Sequence, residues 1–129
     1  MTGVRTVLCF ATAFATSMGL MTGGAAAVED PATLARGWRV LRAMDCARCH
    51  GRDYTGSAAP SLLAAVREGP RERFDRYVLD GDIGRGMPGY RGQPVVATNL
   101  DAIHAYLLAR ASGAIGPGNP DPGGAAAPD

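Results

Sequence analysis

Five consecutive residues, Cys46-Ala47-Arg48-Cys49-His50, have the types and the spacing that covalent haem attachment requires. Two thiols separated by two residues can add to the two vinyl groups of one haem and form two thioethers. The histidine that follows the second cysteine would then bind the iron as its proximal ligand. The motif therefore predicts one covalently bound haem c, held by Cys46 and Cys49, with His50 on the iron.

A redox dithiol and half of a zinc site are the alternative uses of such a cysteine pair. A redox dithiol usually lies near a β-α-β pattern, and the sequence contains no such pattern. A zinc site needs four ligands, and no second cysteine pair is present to complete the set. The third cysteine, Cys9, lies in an N-terminal segment that we expect to be removed. Haem attachment is therefore the favoured interpretation.

The N-terminal residues have the composition of an export signal. Arg5 is the only charged residue before Glu29, and a mostly apolar run with small residues extends over residues 6–21. Small side chains at 25–27 suit a signal peptidase, so we expect cleavage after Ala27 and export to the periplasm. A retained membrane anchor is the alternative, but the run is interrupted by polar residues and is weakly hydrophobic for a spanning helix.

A glycine-rich segment, residues 80–94, surrounds Met87 and would supply the distal iron ligand. A thioether is a soft ligand that suits haem iron, and methionine in this position raises the reduction potential. Met87 could instead be a packing residue, because methionine commonly fills gaps in a core. Three other methionines lie in the predicted signal, and Met44 lies only two residues before the cysteine motif. We therefore assign Met87 as the distal ligand, with His104 or an open iron as the alternatives.

Charge and aromatic content limit the remaining function classes. The chain has 129 residues, and its thirteen basic residues, all arginine, nearly balance twelve acidic ones. Such a balance makes a nucleic-acid-binding protein an unfavourable interpretation. Outside the predicted signal the aromatic residues are Trp38, Phe74 and four tyrosines. A core this small would be completed by a buried porphyrin.

Hydrophobic periodicity predicts helices and no strand, so the predicted fold class is all-α. Helices are expected from residue 31 toward the cysteine motif, over residues 60–66 and 71–79, and from residue 100 to Gly113. We expect another helix to approach closely at Gly37, because a glycine inside a helix otherwise costs stability. A weak capping box over residues 98–101 should begin the last helix.

Three segments follow from these patterns. Residues 1–27 are the predicted signal peptide, and residues 28–112 form one domain. Residues 113–129 consist mainly of glycine, proline and alanine, a composition that cannot bury a core, and are predicted to be a flexible tail.

The order of these features resembles that of the class I cytochromes c over about residues 31–112. The most specific matching elements are residues 46–51 and the Gly86-Met87-Pro88 sequence. The resemblance implies helices wrapped around a single covalently attached haem, and an electron-transfer protein that is not an enzyme. In that family a proline after the haem motif accepts the Nδ1–H of the proximal histidine through its carbonyl. Pro60 is similar to that residue.

A narrower resemblance, over residues 49–53, 85–90 and 105–111, is to periplasmic cytochromes c that accept electrons from quinoprotein alcohol dehydrogenases. Residues 113–118 also resemble the C-terminal extension of that group. It implies a monomeric carrier whose donor is a dehydrogenase dependent on pyrroloquinoline quinone (PQQ), such as a methanol or ethanol dehydrogenase. The acceptor would be a terminal oxidase or another cytochrome. A carrier that serves a quinol–cytochrome c reductase or a sulfur-oxidising enzyme is the alternative. A haem enzyme or a haem-based sensor is a further alternative.

Four arginines are expected to surround the exposed haem edge. In the class I cytochromes c this edge lies between the cysteine motif and the methionine loop, which here is the glycine-rich segment of residues 80–94. They are Arg48, Arg52, Arg85 and Arg91. Free cations at this edge would steer the encounter with an acidic partner. Solvated arginines, or pairs with haem propionates, Asp53 or Asp82, are the alternative.

Overall fold

The computed structural model describes Gly3 and residues 29–121, and within them the chain is helical. The elements are α1 (Pro31–Ala43), α2 (Ala47–His50), α3 (Leu62–Glu68), α4 (Arg71–Asp80), a 3-10 helix (Ile83–Arg85), α5 (Pro94–Ala97) and α6 (Leu100–Ala111). The part of the chain that is described contains no strand, and the all-α prediction is confirmed. No helix of this part is long and apolar enough to cross a lipid bilayer. The predicted signal peptide, Gly3 apart, and residues 122–129 of the predicted tail lie outside the described residues.

The first helix begins as the sequence predicts. The carboxylate of Asp30 accepts hydrogen bonds from the backbone N–H groups of Ala32 and Thr33, at 3.3 and 3.1 Å. Pro31 occupies the first turn, where its missing N–H leaves no donor unsatisfied. These backbone hydrogen bonds favour the ionised carboxylate and so lower the pKa of Asp30.

The predicted capping box at the start of the last helix is wrong. Asn99 occupies the N-cap position, and its side chain accepts no hydrogen bond from the helix. The Thr98 hydroxyl instead donates to the carbonyl of Pro94 at 2.7 Å, and the Asn99 amide donates to the carbonyl of Val95 at 2.9 Å. The reason is α5, a short helix directly before α6 whose terminal carbonyls accept these donors.

α1 crosses α6 at Gly37, and α6 also packs against α3. A Cβ atom at Gly37 would overlap the backbone carbonyl of Ala102 on α6, so only glycine permits this crossing. The predicted close approach is therefore confirmed. The buried residues around it form one core, made of Leu34, Val40, Leu41, Tyr54, Val66, Phe74, Val96, Leu100, Ile103, Tyr106 and Leu107.

Candidate functional site

The end of α1, the cysteine motif, α4, the methionine loop and α6 enclose a cavity of about 260 Å³. Cys46, Cys49, His50 and Met87 all line it, although 37 residues or more separate Met87 from the motif in sequence. The other lining residues are mostly apolar and include Val40, Leu41, Met44, Leu62, Phe74, Val78, Pro88, Tyr90, Val96, Ile103 and Leu107. The fold therefore brings the four predicted attachment and ligand residues to one apolar space.

A second cavity, of about 620 Å³, adjoins the first and also has His50, Phe74, Val78 and Met87 among its lining residues. The two cavities are thus parts of one cleft. An imidazole, a thioether and two thiols in an apolar cleft are a donor set that suits haem. Within residues 29–121, no group of three or more histidine, cysteine or acidic side chains could hold a bare metal ion, so a zinc site has no support there.

A single helical turn, α2, positions the cysteine motif. The backbone N–H of His50 donates to the carbonyl of Cys46 at 3.0 Å, and the N–H of Cys46 donates to the carbonyl of Leu41 at 3.2 Å. The motif is therefore fixed to the end of α1. The turn ends at Gly51, whose φ of 86° favours glycine.

The ring of His50 is oriented by a backbone carbonyl. Its Nδ1 lies 2.7 Å from the carbonyl oxygen of Pro60. A carbonyl can only accept, so Nδ1 carries the proton and Nε2 is the nitrogen that can bind a metal. Residues 51–61, called the histidine loop here, return to the cysteine motif through two further hydrogen bonds. Gly56 donates to the carbonyl of His50 at 2.8 Å, and Ala59 donates to the carbonyl of Cys49 at 2.9 Å.

Met87 lies in a loop that is bonded back onto the end of α4. Asp82 and Met87 exchange two backbone hydrogen bonds, at 2.9 and 3.0 Å, and Tyr90 donates to the carbonyl of Val78 at 3.0 Å. Gly81 has a φ of 74°, and a Cβ atom there would lie 2.6 Å from the Met87 carbonyl oxygen. The glycine-rich composition therefore permits a closely packed loop that holds the methionine in place.

The first cysteine of the motif, Cys46, does not have the electrostatics of a reactive thiol. Cys46 is half-buried, and burial raises the pKa of its thiol to about 11. Reactive dithiols instead have a lowered pKa, because the thiolate is the attacking species. Among the described residues these two cysteines form no disulfide. The raised pKa of Cys46 disfavours thiol–disulfide exchange, and the apolar cavity beside the pair suits a bound ligand.

His104, the alternative ligand, does not lie where Met87 does. His104 lines neither cavity, and its half-buried ring packs edge-on against Phe74 with ring centroids 5.1 Å apart. Met44 does line the first cavity, on the side of α1, and packs against the core. The roles of two tyrosines were not predicted from the sequence, because nothing in their spacing sets them apart. Tyr54 supports the histidine loop, and Tyr90 lines the cavity.

Two of the four arginines expected at the haem edge are paired with carboxylates. Arg91 donates two hydrogen bonds to one carboxylate oxygen of Asp80, at 2.6 and 2.9 Å. Arg85 lies 3.5 Å from a carboxylate oxygen of Asp82. Arg48 and Arg52 are exposed and make no ion pair within residues 29–121. Of these four arginines, the two without an ion pair among the described residues therefore lie at the cysteine motif and not at the methionine loop.

Comparison with known proteins agrees with this site. Residues 32–107 match the model of a family described as "Cytochrome C oxidase, cbb3-type, subunit III". The chain is 31% identical to cytochrome c-555 of Methylococcus capsulatus over 67% of its own length and 68% of that protein. It is 37% identical to cytochrome c55X of Paracoccus denitrificans over 69% of its length and 86% of that protein. The crystal structure of the c-type cytochrome XoxG from Methylobacterium extorquens AM1 is similar at a TM-score of 0.61 and 30% identity, over 68% of this chain and 56% of XoxG.

Proposed function

The chain belongs to the cytochrome c family and carries haem c, and we propose that it is a periplasmic one-electron carrier with a single haem. In this proposal Cys46 and Cys49 would hold the haem through thioethers, and His50 and Met87 would supply ligands to its iron. When bound, haem c supplies an iron that gains and loses one electron reversibly.

The observation that carries the proposal is that the four residues line one apolar cavity while the chain holds both ligands in place. The carbonyl of Pro60 fixes the imidazole of His50. The hydrogen bonds between Asp82 and Met87 fix the loop that carries the sulfur. Ligands that need not move when the charge changes favour rapid electron transfer, and apolar walls exclude water from the iron.

A methionine held in this way would leave no iron position for a substrate, so we propose a carrier and not an enzyme. Titration of the ferrous protein with carbon monoxide tests this. We expect no binding at concentrations that saturate haem proteins with an open position. Rapid binding of one equivalent would instead indicate a gas sensor or a haem enzyme.

We propose a PQQ-dependent alcohol dehydrogenase as the electron donor. The support is the resemblance over residues 49–53, 85–90, 105–111 and 113–118, and the first two of these segments contribute Cys49, His50, Met87 and Tyr90 to the cavity. The test mixes the ferric protein with a purified dehydrogenase and its alcohol and follows haem reduction. A quinol–cytochrome c reductase and a sulfur-oxidising enzyme serve as competing donors. Faster reduction by either would replace the proposed donor.

On the acceptor side we propose a terminal oxidase or another cytochrome. The family model that matches this chain is named for a subunit of a cbb3-type oxidase, which supports an oxidase as the first acceptor to test. Membranes that contain such an oxidase should oxidise the ferrous protein, and an inhibitor of the oxidase should stop the reaction. Oxidation that persists with the inhibitor would point to another cytochrome.

Export and the monomeric state are also part of the proposal. Cell fractionation should recover the protein from the periplasm with Val28 as its first residue, since the predicted cleavage follows Ala27. An intact N-terminus in the membrane fraction would instead indicate a retained anchor. Sedimentation of the purified protein should give the mass of one chain plus one haem.

A further inference from the structure

The chain segment after α6 lies against the domain, and its described residues, 113–121, are called the C-terminal strap here. Gly113 turns the chain with a φ of 78°. Ile115 then donates a backbone hydrogen bond to the carbonyl of Ala109 at 3.3 Å, and its side chain packs against the core. The hydroxyl of Tyr106 donates to the carbonyl of Gly118 at 3.0 Å. Beyond its first residue, the strap is thus bonded to α6 through Ile115 and Gly118.

Tyr106 connects the strap to a second tyrosine. Its side chain is fully buried, although its hydroxyl is the group that binds the strap. The ring meets that of Tyr54 edge-on, with centroids 6.3 Å apart and planes at 89°. Tyr54 is itself only 2% exposed. A displacement of the Tyr106 ring would therefore be transmitted to Tyr54, because close-packed cores adjust poorly to shifts of a large side chain.

Tyr54 organises the part of the loop that orients His50. Its carbonyl accepts hydrogen bonds from the backbone of Leu62 at 3.0 Å and from the hydroxyl of Ser61 at 3.3 Å. Ser61 directly follows Pro60, whose carbonyl accepts from Nδ1 of His50. Tyr54 also has a φ of 62°, a conformation that a bulky residue adopts only where its surroundings hold it. The position of Pro60 thus depends on how firmly Tyr54 is held.

Arg110 adds a second connection between the same elements. One guanidinium nitrogen donates to the hydroxyl of Tyr106 at 3.3 Å, and another lies 3.5 Å from the carbonyl oxygen of Asp53, next to Tyr54. The strap, α6 and the histidine loop therefore meet at the hydroxyl of Tyr106.

We propose that Tyr106 is a positioning residue for His50, and that the strap holds Tyr106 in the position this requires. The inference rests on the proposed function in one respect, that His50 is the iron ligand. A hydrogen bond from Nδ1–H to a carbonyl makes the imidazole a stronger electron donor to the iron. A loosened histidine loop should therefore open the bond to Pro60 more often and raise the reduction potential.

The test compares two pairs of variants of the haem-loaded mature protein. A chain ending at Ser112 lacks the strap, and a chain ending at Asp121 is its control. Tyr106→Phe keeps the ring against Tyr54 but releases the strap and Arg110, and Leu108→Ala, at an exposed position of the same helix, is its control. Nuclear magnetic resonance of the ferrous protein measures hydrogen exchange at Nδ1 of His50, and a redox titration measures the potential.

We expect exchange at Nδ1 to become several-fold faster without the strap and in Tyr106→Phe, with a raised potential in both and no change in either control. The backbone amide of Ile103, in the core of α6, provides an internal reference. A general loss of stability accelerates exchange at both sites, whereas a positioning role accelerates it at His50 alone. Equal acceleration at both sites would overturn the inference.

Two further outcomes also test the positioning role of Tyr106. If the protein without the strap does not fold, Tyr106→Phe against its control is sufficient. Exchange and potential that stay at wild-type values in Tyr106→Phe would overturn the inference. The carrier proposal would survive that result, provided that the wild-type spectra show histidine and methionine ligation. It would fail separately if those spectra did not.

Discussion

His50 and Pro60 are joined by a hydrogen bond of 2.7 Å between the imidazole Nδ1–H and the proline carbonyl. Ten residues separate them in sequence, so the intervening loop must fold back on itself. Two glycines with positive φ permit this, Gly51 at 86° and Gly56 at 104°. A Cβ atom at Gly51 would lie only 2.7 Å from the carbonyl oxygen of Gly56. The orientation of the His50 ring thus depends on two glycines that line neither cavity.

Met87→Ala should remove the distal iron ligand. The ferric variant is expected to lose the weak long-wavelength absorbance band of sulfur-ligated haem and to bind added imidazole. The ferrous variant should bind carbon monoxide, and the reduction potential should fall. Absorbance spectra with and without these ligands provide the measurement. Met44→Leu is the informative comparison, because Met44 is the other sulfur that lines the cavity. A band that survives in Met87→Ala and is lost in Met44→Leu would reverse the assignment.

Cys46→Ala/Cys49→Ala should prevent stable folding of the mature chain. The cavity beside the motif is lined by core residues such as Leu41, Phe74 and Leu107, which would have no apolar partner on one side without the haem. Because a ligand that binds only the folded state stabilises it, loss of covalent haem should abolish most of the cooperative transition. Calorimetry of the variant and the wild type measures this. A cooperative transition near the wild-type temperature would show that the polypeptide core is sufficient.

Long helices and the cysteine motif could be predicted from the sequence, because their signals are local. Asp30 and Pro31 mark the start of α1, and the spacing of Leu100, Ile103 and Leu107 matches the buried face of α6. The two shortest α-helices were not predicted, since four residues are too few to show a periodicity. The wrong capping box follows from the same omission, because α5 supplies the carbonyls that Thr98 and Asn99 bind.

Contacts that depend on tertiary structure were harder to predict from the sequence. The cavity places Met87 beside the cysteine motif, as elimination among the methionines suggested. Arg91 was expected to be free at the haem edge, but Asp80, eleven residues earlier, accepts its hydrogen bonds. No local pattern predicts that pair, because the turn of the chain between α4 and the methionine loop creates it. The hydrogen bond from Tyr106 to Gly118 could not be predicted either, because Gly118 lies in a segment whose composition indicates a tail.

Gly37→Ala should destabilise the domain, although alanine normally stabilises a helix relative to glycine. The added Cβ would overlap the Ala102 carbonyl, so α1 and α6 would have to separate. Overpacking of this kind costs about 1–3 kcal/mol, which exceeds the small gain in helix propensity from alanine. Urea unfolding followed by circular dichroism measures the difference. Gly92→Ala is the matched control, because a Cβ atom at Gly92 would have no other atom within 4 Å. Equal stability of the two variants would contradict the close helix crossing.

His104 should make the free energy of unfolding depend on pH. Burial lowers its pKa in the folded state from an ordinary value of 6.5, and Arg71 acts in the same direction, against Asp75 and Asp101. The unfolded state therefore binds a proton before the folded state does. The stability that comes from a neutral His104 is complete above about pH 7 and is lost as the pH falls through 6.5 toward the folded pKa.

The measurement is urea unfolding of the wild type and of His104→Gln at several values between about pH 7.5 and pH 5. The variant should show a shallower decline over this range, because it has no group at residue 104 to protonate. The variant also loses the packing of the imidazole ring against Phe74, but it does so at every pH. This loss lowers the free energy of unfolding by the same amount across the range and leaves its slope with pH unchanged. Parallel curves for the two proteins would show that His104 does not titrate differently on folding.

Arg48→Glu/Arg52→Glu should slow electron transfer from the dehydrogenase at low salt. These two arginines are exposed beside the cysteine motif, and no described carboxylate pairs with them, so they are free to attract an acidic patch on the donor. Stopped-flow measurement of the second-order rate should show a several-fold decrease in the variant. The difference should shrink as the ionic strength approaches about 0.1 M, where the screening length is about 10 Å.

The control for this prediction is Arg36→Glu/Arg67→Glu, which makes the same change in net charge at exposed positions of α1 and α3. If the rate depended only on the net charges of the two proteins, both variants would be slowed equally. Docking at the cysteine motif would slow only the first, because an ion pair acts over short distances in salt water. Absorbance spectra and potentials of both variants should match the wild type, which separates slower docking from an altered haem site. A wild-type rate that is independent of salt, with the same rate in both variants, would mean that the donor docks through apolar contacts.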